Sequence, residues 1–316
     1  MFVIVGSANV DLLVSGFAQM PGGEGDEFTT NSLVFCDDPL HMLLGGNGAN
    51  CAYVLAGLGA PTTLCSALGQ DELGRLVAGW LSDQGVSLAG VARKSDHATA
   101  YTAIVTDRAS NRIAFHHPGA LAHFALADIP PSLLATAQVL LITGYTIHPQ
   151  LRPHGFAALL AQAKQHGALT ALDIGPAIGQ PAQLAELTPL LPQVDYLLTN
   201  RHELAVCTGE GDLEVGARRL LDAGARCVVI KQGKAGAAIR THALRLDVPA
   251  FAIDARSTVG AGDSFNAGLL LGLQQGWPLA AAARFANAVA ALVVASPRGI
   301  LGCPTRDQVD DFLTIH

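Results

Sequence analysis

Aromatic side chains make up only 5% of this sequence and charged ones only 14%. With 50% hydrophobic residues against so little charge, a disordered chain is excluded, because that much apolar surface has to be buried. The charge balance is negative, −7 at neutral pH. General binding to nucleic acid or to an anionic membrane, which calls for a basic surface, is therefore not expected. The six cysteines (Cys36, Cys51, Cys65, Cys207, Cys227 and Cys303) form no Cys-x-x-Cys pair and read as reduced thiols. No His-Glu-x-x-His or other zinc spacing occurs, so no transition-metal site is expected. The strand-like run 2–5 has no basic segment before it, and nothing there resembles a signal peptide. The most apolar stretch, 280–295, is too short to span a bilayer and carries Arg284 and Asn287. A soluble cytoplasmic protein is the expectation.

What the sequence does have is alternation. Short apolar runs rich in β-branched residues at 3–6, 62–67, 139–143, 169–174, 196–199 and 227–231 read as buried strands. Amphipathic segments near 48–59, 72–84, 150–166, 212–223 and 262–275 read as the intervening helices. This order predicts an α/β fold with a mainly parallel central sheet covered on both faces, one domain over 1–316. Two regions break the pattern. Strand-like pieces at 12–15 and 28–35 lie in a glycine-rich stretch, and a hairpin is expected from strands 99–106 and 112–116 with a polar turn at 107–111. Together, about 12–44 and 97–118, they predict a small separate β-sheet: a lid, a dimer surface or decoration.

The most informative stretch is Ser257-Thr258-Val259-Gly260-Ala261-Gly262-Asp263-Ser264-Phe265. Phe265, Leu269, Gly272 and Leu273 follow at helical spacing, so a helix begins in the glycine turn, with its free N–H groups and positive dipole end pointing at whatever sits before it. Asp263 in that first turn puts a carboxylate beside an anion-binding site. Phosphoryl transfer to an alcohol needs that pair, donors for the developing charge and a base for the hydroxyl. Taken alone, Asp263 serves equally well as a helix cap. No Gly-x-x-x-x-Gly-Lys-Ser/Thr occurs, and Gly260-Ala261-Gly262 lacks the third glycine of a dinucleotide fingerprint.

A second cluster, Gly45-Gly46-Asn47-Gly48-Ala49-Asn50, opens the helix running to Gly59, and its two asparagines can offer amides to neutral hydroxyls. Gly6-Ser7-Ala8-Asn9-Val10-Asp11 follows the first strand, where open α/β sheets bind ligands. Asp11 can accept two sugar hydroxyls. Asn200-Arg201-His202-Glu203 follows another strand, and Asn200 and Glu203 are hard oxygen donors suited to hydrated Mg²⁺, although a helix cap would use the same residues. His116 and His117, at the end of the hairpin, are candidates to reach a substrate from the small sheet.

These clusters, with Gly69-x-Asp71-x-x-Gly74 and Gly233-x-x-Gly236, resemble in order and spacing the motifs of the ribokinase-like (PfkB) carbohydrate kinase family, over essentially the full length. The resemblance implies a three-layer α/β/α domain with a β lid, using ATP and Mg²⁺. By that likeness Asp263 would deprotonate the acceptor hydroxyl, with the Gly260, Ala261 and Gly262 amides on the migrating phosphate. Asn9, Asp11, Gly45, Gly46, Asn47 and Asn50 would hold a small sugar-like substrate. Asn200 and Glu203 would order Mg²⁺ and phosphates, and Lys231, Gly233, Gly236 and Asn287 would surround the nucleotide.

Three positions depart from the family pattern. Ser257 stands where the family usually has an acid, which in ribokinases helps bind a monovalent cation, so activation by K⁺ is left open. Lys231 stands where threonine is frequent, facing either phosphate or solvent, and Gly144 stands where ribokinases have a sugar-contacting acid. A sugar kinase acting on a primary hydroxyl is the leading reading. A nucleoside kinase would use the same catalytic parts, with Phe17, Phe28, Phe35 or Phe115 against the base. A non-catalytic sugar or nucleotide sensor is the reading from a different class. The edges of the small sheet are compatible with a homodimer.

Overall fold

Alternate residues of a strand point to opposite faces, and here each face of the sheet meets its own helices. The structure is a computed structural model and describes residues 1–17, 35–109, 111–177 and 179–316. The strand expected over 28–35, apart from Phe35, and Phe28 with it, lies outside those residues. The strands are β1 Phe2–Val5, β2 Asn9–Phe17, β3 His41–Gly45, β4 Thr62–Gly69, β5 Ser87–Lys94, β6 Tyr101–Asp107, β7 Arg112–His117, β8 Val139–Ile142, β9 Leu169–Asp173, β10 Tyr196–Asn200, β11 Val228–Lys231, β12 Ala237–Arg240 and β13 Arg245–Val248.

Among the described residues the larger sheet runs β13-β12-β11-β10-β9-β8-β1-β4-β5. Pairing is parallel from β11 through β5, and β12 and β13 add an antiparallel edge. Phe2, Ile4, Val139 and Leu141 pack with the helices Asn47–Gly57, Ala261–Gln274 and Leu279–Ala295 through Val54, Leu55, Leu269, Phe285 and Val289. Val3, Val5, Leu140 and Ile142 face the other way, onto Phe156 and Leu159 of the His154–Gln165 helix and Leu220 of the Leu213–Asp222 helix. The result is the expected three layers.

The shortage of aromatics and wealth of small residues pays off in helix contacts: a Cβ on Gly268 would lie 2.9 Å from the Ala286 Cα. The apolar stretch near 280–295 forms the Leu279–Ala295 helix of this layer, and no helix among the described residues is long and apolar enough to cross a membrane. The helix expected from residue 150 starts at His154, because the residue before a proline disfavours helical backbone and Pro153 supplies no N–H.

The smaller sheet runs β3-β2-β6-β7. Its tie to the main body is the Gly69-x-Asp71-x-x-Gly74 motif. Asp71 caps the Glu72–Asp83 helix by accepting the Gly74 N–H at 2.8 Å, and also accepts the Thr99 N–H at 2.7 Å and the Thr99 hydroxyl at 2.6 Å. Burial alone would raise the Asp71 carboxyl, but these donors hold its pKa below the usual value. The motif is therefore an anchor at the entry to β6, whose first paired residue is Tyr101 rather than Thr99.

Candidate active site

Parallel strands end their C-termini on one edge of the sheet, and the polar residues collect there. Asp173, Asn200 and Lys231 are the last residues of the adjacent strands β9, β10 and β11, and Ser7 and Gly144 lie just past β1 and β8.

Two glycine turns meet at this edge. Gly46 has φ +93°, and a Cβ on it would lie 2.5 Å from the Ser7 carbonyl oxygen, so glycine is required there by both conformation and space. Ser7 receives the start of the Asn47–Gly57 helix: its Oγ accepts the Asn47 N–H at 3.0 Å, and its carbonyl accepts the Ala49 N–H at 2.9 Å. Gly260, with φ +77°, caps the Ala261–Gln274 helix, and a Cβ there would strike the Ile300 side chain at 2.5 Å. The Ala261 N–H turns back to the Thr258 carbonyl at 3.3 Å. The Gly260, Gly262 and Asp263 N–H groups have no acceptor among the described residues and remain open to an anion.

Asp263, 8% exposed, lies between the two turns. Asn47 donates its amide N–H to Oδ1 at 3.0 Å and Asn50 donates to Oδ2 at 2.9 Å, while the Cys51 thiol donates to the Asp263 carbonyl at 3.4 Å. Burial pushes the Asp263 carboxyl up, the two asparagines pull it down, Asp173 raises it and Lys231 lowers it, leaving a pKa of about 6. A carboxylate with that value is mostly ionised at neutral pH yet basic enough to take a proton. Each asparagine thus gives one side-chain N–H to Asp263, and the Asn50 Oδ1 is a buried acceptor without a donor among the described residues.

Beside this lies a cluster that sequence reading missed. The Lys231 ammonium donates to Asp173 Oδ2 at 2.7 Å and to Asn266 Oδ1 at 3.3 Å. Asn266 also donates to Asp173 Oδ2, and the Gly175 N–H donates to Asp173 Oδ1 at 2.8 Å. Burial would lower the Lys231 ammonium, but Asp173, Glu203 and Asp263 raise it above its ordinary value, so it stays charged. Two signals could have found the cluster: Asp173 closes a strand expected from the sequence, and Asn266 sits one helical turn beyond Asp263.

Asn200 and Glu203 form a reciprocal helix cap. Glu203 N–H donates to Asn200 Oδ1 and Asn200 N–H donates to Glu203 Oε2, both at 2.9 Å. Burial, with Asp173 nearby, pushes the Glu203 carboxyl up to about 7. Its Oε1 makes no hydrogen bond among the described residues. Asp173 is in contact with the Lys231 ammonium, and the Glu203 and Asp263 charges act on it from further away. No group of three or more His, Cys, Asp or Glu side chains is gathered to hold a metal ion among the described residues, so the oxygen available to a hydrated divalent cation here is Glu203 Oε1.

On the small sheet, Asn9 donates to Asp11 Oδ1 at 2.8 Å, and a Cβ on Gly45 would press on both at 2.5 and 2.6 Å. Register places Leu43, Asp11, Thr102 and His116 in one row, hence on one face. His116 Nδ1 and the Thr102 hydroxyl are 3.1 Å apart; burial lowers the imidazole pKa against the pull of Asp11. His117 belongs to the next row and packs on Tyr101, 5.4 Å between ring centres. Gly144 leaves room beside Asn47: a Cβ there would be 3.2 Å from Asn47 Oδ1.

Other residues singled out in the sequence lie elsewhere. Asn287 donates to the Val248 and Pro249 carbonyls at 3.2 and 3.0 Å, and Gly236 backs onto the same segment, where a Cβ would lie 2.1 Å from the Val248 oxygen. Both hold the chain that leaves β13. Gly233 is in the turn between β11 and β12, with open space around it. Ser257 Oγ accepts the Val259 N–H at 3.2 Å within its own turn. A depression of about 580 Å³ lined by Lys164, Asp195 and Arg226 lies at the opposite edge of the sheet, and both cations there pair with Asp195.

The pfkB family carbohydrate kinase pattern matches residues 27–306. The 5-dehydro-2-deoxygluconokinase of Geobacillus thermodenitrificans is 28% identical over 282 residues, covering 85% of this chain and 84% of that protein. The ribokinase of Bacillus subtilis is 27% identical over 317 residues, 98% of each. Among solved structures, Arabidopsis thaliana ribokinase complexed with ribose and ATP superposes with a TM-score of 0.84 at 25% identity, covering 99% of this chain and 98% of that one. The chain belongs to the pfkB family and is an ATP-dependent carbohydrate kinase.

Proposed function

We propose that the protein transfers the terminal phosphoryl group of ATP to a primary hydroxyl of a small sugar or sugar-like substrate, with Asp263 as base. The observation that carries this reading is the buried Asp263 carboxylate, held on both oxygens by Asn47 and Asn50 at a helix start whose N–H groups are open. Asp263 takes the hydroxyl proton as the substrate oxygen bonds to the terminal phosphorus and the bond to the ADP oxygen breaks. The Gly260 and Gly262 amides, with that of Asp263, receive the charge on the phosphoryl oxygens; Ala261 contributes more weakly, its N–H being shared with Thr258. Asp11, with Asn9 fixed against it, grips substrate hydroxyls across the space left by Gly45 and Gly46, and the carbonyl oxygens of Asn47 and Asn50 remain for the same substrate. Lys231 lies on the phosphate side, Gly233 sits in the turn just beyond it, and Gly236 and Asn287 act on the nucleotide border only through the 248–249 segment they hold.

When bound, Mg²⁺ would neutralise phosphate charge, with Glu203 and Asn200 holding it through water. K⁺ activation forms no part of the proposal, since Ser257 offers a neutral hydroxyl already used in its own turn. The small sheet would act as the lid, its Asp11–Thr102–His116 face toward the substrate. Met42, Ile113 and Phe115 are exposed on the opposite face, which supports a homodimer through that sheet. The free cysteines suit a reducing, cytoplasmic setting.

ADP release with MgATP and a panel of pentoses, hexoses, polyols and nucleosides tests the reading. A sugar or polyol that accelerates release far above the rate with ATP alone supports it; acceleration by nucleosides only, or by nothing, contradicts it.

A further inference from the structure

Lys231 does not reach out toward solvent as a surface lysine would. Its side chain is 15% exposed, and Asp173, itself 4% exposed, holds the ammonium at 2.7 Å. The ammonium also lies close to the glycine turn, since a Cβ built on Gly262 would be 3.6 Å from Nζ. Asn266 bridges the two: it donates to Asp173 and accepts from Lys231, and it sits on the helix that begins at the same turn. Glycine at 262 leaves the space between the open N–H groups and the ammonium empty of side chain.

We infer that Lys231 is the cation that balances charge on the transferring phosphoryl group in front of Gly262, and that Asp173, with Asn266, is the positioning residue that holds it there. The inference rests on the proposed kinase reading. Backbone amides supply partial positive charge, whereas a phosphoryl group in transit carries full negative charge close to Asp263, another anion. An ammonium fixed by two partners needs no reorganisation when that charge develops. A lysine without Asp173 would have several rotamers to choose from. The carboxylate also keeps the buried ammonium charged, the effect Asp173, Glu203 and Asp263 have together on its pKa.

The test uses the full chain with the acceptor found for wild type and five variants: D263N, K231M, K231R, D173N and the double variant K231M/D173N. Steady-state kinetics and melting temperature are measured for each. K231M and D173N are each expected to lower kcat about 100-fold, the cost of losing one transition-state donor, with little change in KM for the acceptor. K231R is expected to recover part of kcat. The double variant removes both buried charges, so it should melt near wild type and be no slower than K231M, because Asp173 acts through Lys231.

A double variant with kcat within about threefold of wild type, or losses in the singles that multiply in the double, overturns the inference. It would then be an ion pair that supports the fold alone. Wild type that phosphorylates no acceptor, or D263N as active as wild type, sinks the kinase reading and the inference with it. Active wild type and inactive D263N beside a fast K231M sink this inference alone.

Discussion

Asn50 donates its side-chain N–H to Asp263 Oδ2 at 2.9 Å, across 213 residues of sequence. The bond ties the two glycine turns into one site and stabilises the ionised carboxylate against its burial. The acid limb of kcat/KM is therefore expected at about pH 6, with activity rising as Asp263 loses its proton and reaching a plateau above. Replacing Asn50 by leucine removes a donor that favours the charged form, so the limb should move to higher pH. A pH–rate profile checks this, and a limb that stays in place would mean the bond does not set the base.

Gly46 tests the geometry that brings Asn47 and Asn50 to Asp263. Alanine there must adopt φ +93° and place a Cβ 2.5 Å from the Ser7 carbonyl oxygen. The expected cost is about 2 kcal/mol or more of folding stability. Urea unfolding measures it, and an unchanged midpoint would contradict the close approach.

His148 is the clearest stability probe away from the site. It is fully buried, both ring nitrogens lack partners, and Phe124 and Phe156 flank it at 5.9 and 6.2 Å between ring centres. Burial lowers its pKa to about 4. The unfolded chain takes up this proton near pH 6.5 while the folded one resists, so stability falls as pH drops from about 6.5 toward 4. His148→Leu is expected to gain about 1–2 kcal/mol and to lose one proton's worth of that slope. Melting curves across pH 4–7 follow it; a leucine variant with the wild-type slope would refute the assignment.

The sequence reading reached the layers and the Asp263 position at the glycine turn for the same reason: both depend on local pattern. Parallel strands are buried on both faces and read as apolar runs, as β1, β8 and β11 do. A glycine turn opening a helix is equally local, and it located Asp263 and Asn50. Other elements were not legible. β3, β12 and β13 lie near sheet edges and carry charged, polar or small residues (His41, Gly45, Ala237, Ala238, Arg240, Arg245 and Asp247) in place of a β-branched apolar run, so nothing in their composition separates them from loop. The direction of the Asn47 and Asn50 amides toward Asp263, and of Lys231 toward Asp173, is decided by packing between elements far apart in the chain. Motif spacing also could not tell anchoring from chemistry: Asp71 binds the entry of the small sheet, and Asn287 holds the 248–249 carbonyls.

The most direct measurement is the turnover of Asp263→Asn with MgATP and the best acceptor, alongside ATP binding and melting temperature. The buried carboxylate, with a pKa raised to about 6, favours the folded state less above that pH than an uncharged group would. The variant should therefore fold and bind ATP normally and melt no lower than wild type at pH 8. Its kcat should fall about 10³-fold, since the amide has no basic oxygen to take the hydroxyl proton. Turnover within about tenfold of wild type would contradict Asp263 as the base.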